Sequence, residues 1–248
     1  MTNAGGDSWT RAGIQPFPST CWSRFLAGPG PGDGREAALE ELARRYWRPV
    51  FTYIRARWSR PPDDARDLAQ DFFLWMIEAD FIDLADPRRG RFRGFVKVAL
   101  EHYVANEERK RRSLKRGGGR VRLSIDDEEW ARAVGEAPAP GPADEALDEA
   151  WRRELLERAR ARVEEELRRE DRDLQARLFR EYYLHEGPEI NYRELAARHG
   201  LSENQVLAAL QSVRERFRAA VAALVGETVG SPEELREELQ ALFGVKAP

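Results

Sequence analysis

In Asn191-Tyr-Arg-Glu194 and again in Ser202-Glu-Asn-Gln205, a short polar side chain is followed three positions later by Glu or Gln. Each is a capping box: the first side chain accepts from a backbone N–H one turn on, and the Glu or Gln returns to the first residue's own N–H. Two helix starts this close leave room only for a short helix and a tight turn. Gly200 can take the left-handed conformation such a turn requires. Ala196 is small where two helices would cross, Val206 fills the space between them, and Leu195, Leu201 and Leu210 complete a core. The spacing predicts a helix-turn-helix over residues 191–221. In such a unit the second helix, about Glu203 to Ala220, lies in a DNA major groove with its N-terminal residues toward base edges. Asn204, Gln205 and Gln211 are then candidates for bases, with Ser202 at the same end, and Arg214, Arg216 and Arg218 for phosphates. Two helices around a glycine also occur as plain packing units, and the rest of the chain decides for DNA.

Apolar residues recur at three- and four-residue steps elsewhere too, and no strand pattern interrupts them. From Arg35 to Trp58 the stripe is Leu39, Leu42, Tyr46, Val50, Tyr53 and Ile54, with Pro49 placed to kink the helix. A second helix follows Pro61 and Pro62, opens on Asp63 and Asp64, and buries Ala65, Leu68, Ala69, Phe72, Phe73 and Met76. A third carries Phe92, Phe95, Val96, Ala99, Leu100 and Tyr103 inward and is stopped by Gly117 to Gly119. Farther on, Leu147, Trp151, Leu155, Ala159, Val163 and Leu167 share a face, and another helix runs from about Leu174 to Tyr183. Ser231-Pro232-Glu233-Glu234 with Gly244 brackets a short terminal helix. The fold class is all-α: two small helical domains, over 35–122 and 144–226. A Gly/Pro-rich arm (1–34), an acidic Pro/Ala-rich linker (123–143) and a C-terminal extension (227–248) complete the chain.

The net charge of -3 hides a segregation. From Arg88 to Arg122, 13 Lys and Arg stand against 3 Glu, whereas from Leu123 to Ala150, 9 Asp and Glu stand against one Arg. A basic block beside an acidic one reads as a polyanion-binding domain followed by a solvated linker. Cys21 is the only cysteine, and His102, His185 and His199 are far apart, so neither an internal disulfide nor a zinc-ligand spacing appears. No phosphate loop, HExxH motif, Ser-His-Asp pattern or nucleotide fingerprint is present, so neither an enzyme nor a cofactor is expected. Nothing approaches the roughly 18 apolar residues of a membrane span, and the start lacks an apolar signal core, so a cytoplasmic location is expected.

Tyr46-Trp-Arg-Pro-Val-Phe-Thr-Tyr53, Asp67-Leu-Ala-Gln-Asp-Phe-Phe73, Gly90-Arg-Phe-Arg-Gly-Phe95, Asn106-Glu and Lys115-Arg-Gly-Gly-Gly119 occur in this order. Together they resemble an RNA polymerase sigma factor of the extracytoplasmic-function type, closest to the long members abundant in planctomycetes, from about Phe17 to Leu242. The resemblance implies a dissociable, non-catalytic bacterial initiation subunit. Its first domain would dock on the clamp of core RNA polymerase and open the promoter near -10, and its second would read the -35 element. It places polymerase contact at Asp67, Gln70 and Asp71, which form a polar face suited to a basic or polar partner helix. It places -10 contact in the basic block, where Arg91, Arg93, Lys97, Asn106, Arg109 and Lys110 are the candidates; Phe92, Phe95 and Tyr103 have core spacing. An anti-sigma factor or a regulatory kinase is a further partner of similar factors.

Where relatives carry Lys, His and Arg along the recognition helix, this chain has Leu207, Gln211 and Ser212, and Glu215 replaces another base. From Leu201 to Val221 there are 3 Arg against 2 Glu, so phosphate anchoring should be weaker than in the first domain. Arg66 is a second departure, inside the acidic stretch. The alternative reading is a sigma-like adaptor or free-standing regulator whose second domain binds a protein rather than -35 DNA.

Overall fold

The computed structural model describes residues 33–78, 92–114, 141–183 and 190–244. The expected arm up to residue 32, with Cys21, as well as Arg91, the loop before it, the Gly117 to Gly119 stop and most of the expected linker lie outside them. Among the described residues the chain is entirely helical: α1 Asp33–Trp58, α2 Pro62–Glu78, α3 Phe92–Leu114, α4 Pro142–Arg169, α5 Asp173–Tyr183, α6 Tyr192–His199, α7 Glu203–Gly226 and α8 Pro232–Phe243. They fall into two compact units. One comprises the described residues up to Glu154 together with those from Val225 onward; the other is Leu155–Leu224.

The first unit is built on α1, α2 and α3. Pro62 sits at the start of α2, where its missing N–H costs nothing, and Asp63 and Asp64 complement the positive helix end. The stripes read from the sequence are buried: Leu42, Val50 and Ile54 of α1, Ala69, Phe72 and Met76 of α2, and Phe92, Ala99 and Leu100 of α3 are all at most 4% exposed. α1 continues through the buried Pro49. Tyr53, also buried, donates its hydroxyl to Glu101 at 2.6 Å. Burial first, and that hydrogen bond second, push its pKa well above the ordinary phenol value.

The beginning of α4 and the last helix belong to this unit as well. The Trp151 ring stacks on Tyr46 at 4.3 Å and is 2% exposed. Removing on the order of 200 Å² of aromatic surface from water is worth up to about 5 kcal/mol at ~25 cal/mol per Å². That apolar contact is enough to hold the start of α4 in the first unit. Ser231 caps α8 by accepting from Glu234 N at 3.1 Å, and Gly244 ends it at φ 65°. α8 buries only Glu238, Leu239 and Leu242. The segment expected as an extension over 227–248 thus packs with the first unit, because these buried residues and the backbone bond from Phe92 N to Thr228 O at 3.4 Å attach it there.

In the second unit α4 continues with Leu155, Ala159, Val163 and Leu167 buried on one face. Arg–Glu pairs one turn apart, such as Arg160–Glu157 at 2.9 Å and Arg169–Glu165 at 2.9 Å, line its exposed side. Each contributes only ~0.2–0.5 kcal/mol. Its main effect is solubility.

Candidate functional site

Three surfaces carry the residues singled out by sequence. On α2, Asp67, Gln70 and Asp71 are exposed, and Leu74 joins them one turn further along at 48% exposure. Residues 67, 70, 71 and 74 fall at three-, four- and seven-residue steps, so they form one stripe opposite the buried one. Arg66 pairs with Asp63 at 3.0 Å rather than with this stripe. Sequence reasoning missed Leu74, although a signal was present: it interrupts the buried period, falling between Phe73 and Trp75 on the polar side.

On α3 the five described basic-block candidates do not form one patch. Arg91 lies outside the described residues. Successive residues turn by about 100°, which puts Arg109 about 160° around the helix from Arg93. On one side Asn106 hydrogen-bonds His102 at 2.9 Å, Lys110 pairs with Glu107 at 3.1 Å, and exposed Arg109 has no partner among the described residues. On the other side Arg93 and Lys97 are both engaged. Arg93 Nε and Nη2 donate to the two carboxylate oxygens of Glu238 at 3.0 and 3.3 Å, and Nη1 donates to Asp148. Lys97 pairs with Asp144, which also accepts from Gly141 N at 2.8 Å. Burial works against the Asp144 carboxylate, but Lys97 and the Gly141 N–H together outweigh it and hold its pKa below the ordinary value. Asp144 and Asp148, read from the sequence as part of an acidic, solvated stretch, are therefore partners of the basic helix.

In the second unit the helix-turn-helix geometry closes the second capping box in both directions and the first through its Asn191 cap. Asn191 Oδ1 accepts from Glu194 N at 2.9 Å, Ser202 Oγ accepts from Gln205 N at 3.3 Å, and Gln205 Oε1 accepts from Ser202 N at 2.8 Å. Gly200 sits at φ 63°, and Leu201 N donates to Ala196 O at 2.9 Å. Leu178, Leu195, Ala196, Val206 and Leu210 form a buried cluster, with Leu201 packed on its edge. The residues of α7 that face outward in its first half are Glu203, Asn204, Gln205, Leu207, Ala208, Gln211 and Glu215. None is a cation. Arg214 donates to the Tyr183 hydroxyl at 2.9 Å and lies over its ring at 5.8 Å. Arg216 forks onto Glu170 with two bonds of 2.8 Å, and Arg218 also has an interaction within the chain. The arginines expected at phosphates thus have intramolecular partners, while Asn204 and Gln211 are open to solvent.

A protein-family model described as ECF sigma factor matches residues 32–223, more than three quarters of the chain. The chain belongs to the ECF sigma factor family. No curated protein and no solved structure matches it. A sigma factor is a non-enzymatic component of transcription initiation that works with RNA polymerase and promoter DNA, and the helical architecture fits that role. Among the described residues of this sigma factor, no side-chain group is placed to hold a metal ion, and no helix is long and apolar enough to cross a membrane. The family match ends at residue 223, before α8 and the buried Glu238.

Proposed function

We propose that this chain is a dissociable initiation subunit that docks on the clamp of core RNA polymerase through Asp67, Gln70, Asp71 and Leu74 and opens promoters near -10 with α3. The observation that carries the docking reading is the outward stripe of α2. It combines two carboxylates, an amide and an exposed leucine, which suits a partner helix offering basic and apolar side chains. On α3, Asn106, Arg109 and Lys110 are the candidates that supply cations and an amide on the side away from Arg93 and Lys97, which are paired with carboxylates of α4 and α8. The test is transcription by core polymerase on a genomic fragment library, with the 5′ ends of transcripts sequenced. The expected result is a set of chain-dependent starts sharing an upstream motif. No chain-dependent start anywhere in the library would refute the proposal.

A second reading concerns the helix-turn-helix alone. The exposed residues of α7 from Glu203 to Glu215 include no cation, and Leu207 is 39% exposed among them, which favours a protein surface over duplex DNA. In that case initiation would tolerate complete replacement of the -35 sequence. If instead the helix reads -35 DNA, the same replacement abolishes chain-dependent initiation.

A further inference from the structure

Arg93 and Lys97 lie on the helix expected to meet nucleic acid, yet three carboxylates occupy them: Glu238 and Asp148 at the guanidinium, and Asp144 at the ammonium. Two of these come from the first turns of α4, which the stacked Trp151 fixes in place. The third comes from α8. Two leucines accompany Glu238 into the interior, and Arg152 Nε donates to Leu242 O at 2.6 Å at the helix end. Glu238 itself is 1% exposed on an otherwise apolar stripe. A buried carboxylate is costly unless a cation meets it, and Arg93 is a cation that meets this one. Oxygen pairs in a fork onto a guanidinium, and a single oxygen on an ammonium, are also the geometry in which these groups bind phosphates.

We propose that α8, with the first turns of α4 as its rim, is an intramolecular cover that holds Arg93 and Lys97 with carboxylates in place of nucleic-acid phosphates. Lifting α8 and displacing the rim carboxylates makes both cations available to a DNA strand. The nature of the strand at a promoter rests on the function proposed above; the cover itself does not.

The test measures binding of fluorescein-labelled dT20 to the full chain by anisotropy, as a function of salt. The variant is Asp144→Asn with Asp148→Asn and Glu238→Gln. Each added phosphate contact on single-stranded DNA steepens the log–log salt dependence by about 0.7, so two released cations steepen it by about 1.4. That corresponds to about 25-fold tighter binding at 0.1 M salt than the wild type when the two converge at 1 M. Adding Arg93→Gln and Lys97→Gln should abolish the gain. A matched set of exposed carboxylates that hold no arginine or lysine among the described residues, Asp64→Asn with Asp171→Asn and Glu194→Gln, changes net charge equally and should leave the slope unaltered. Should the triple variant fail to fold by circular dichroism, Asp144→Asn with Asp148→Asn releases Lys97 alone and should steepen the slope by about 0.7.

An unchanged slope in the folded variant overturns the proposal, as does an equal gain in the matched set. The same variants, assayed for transcripts with core polymerase, separate the two ideas. A dT20 gain with no transcript from any variant leaves the cover standing and refutes the promoter function. Transcripts from the wild type with no dT20 gain do the reverse.

Discussion

Leu210 and Gln211 are neighbours on α7, and the phase of that helix makes opposite predictions for them. Leu210 is fully buried against Leu178, Leu195, Ala196 and Val206, whereas Gln211 faces solvent. Leu210→Ala deletes three carbons' worth of buried aliphatic surface, about 2.4 kcal/mol at ~0.8 kcal/mol per methylene. Incomplete collapse of the site raises the loss toward the ~5 kcal/mol seen at rigid positions. The neighbouring wall is rigid on one side, since the methyl of Ala196 has no rotamer that could swing into the space, so about 3 kcal/mol is expected. In a unit of this size ~1 kcal/mol corresponds to about 4–8 °C, so the transition of residues 155–224 should fall by more than about 12 °C. Gln211→Ala removes only a solvated amide and should stay within about 0.5 kcal/mol. Thermal melts of the full chain followed at 222 nm, with urea titrations for ΔG, measure both. Equal losses at the two positions would refute the helix phase, and with it the assignment of Asn204, Leu207 and Gln211 to the outward face.

Three further outcomes are expected. Gly200 holds φ 63° with nothing near an added Cβ, so Gly200→Ala should cost about 1–2 kcal/mol from backbone strain alone, and Gly200→Asn less, in the same urea titrations. Asp67→Lys with Asp71→Lys alters only exposed groups; the melting curve should stay in place while retention on immobilised core polymerase is lost, and undiminished retention would remove α2 from the docking surface. Asp144 has a folded-state pKa held below the ordinary ~3.9, so its contribution is complete above that value and is lost as pH falls through the lower, folded one. Asp144→Asn should therefore be less stable than the parent at pH 7, with the gap closing below about pH 4; a gap unchanged at pH 3 would show that the carboxylate charge is not what matters.

The local elements were legible because their signals are local. A cap and its Glu or Gln are three residues apart, Gly200 marks its own turn, and a buried stripe repeats within two turns of helix. The family was legible for a related reason, since its motifs are short strings. Illegible were the pairings that reach across the chain. Counting charges found a basic block and an acidic one and read them as a binding surface and a solvated linker. Nothing in either block states that Lys97 and Asp144 meet, or that Arg93 meets Glu238 at a separation of 145 residues. The same limit applied to Arg216, whose fork onto Glu170 closes over 46 residues. One long-range clue was available: Glu238 lies three residues after Leu235 and four before Leu242, on a stripe that would otherwise be apolar.

The first unit is made from both ends of the described chain, with the second unit as an excursion between them. Synthesis runs from one end to the other. While the second unit is being made, Arg93 and Lys97 have already been translated and Glu238 has not. The nascent protein therefore passes through a stage in which its basic helix lacks the partner that closes last, and a product cut short before α8 stays in that stage. The contact between Arg93 and Glu238 is in this sense a record that translation has passed α8.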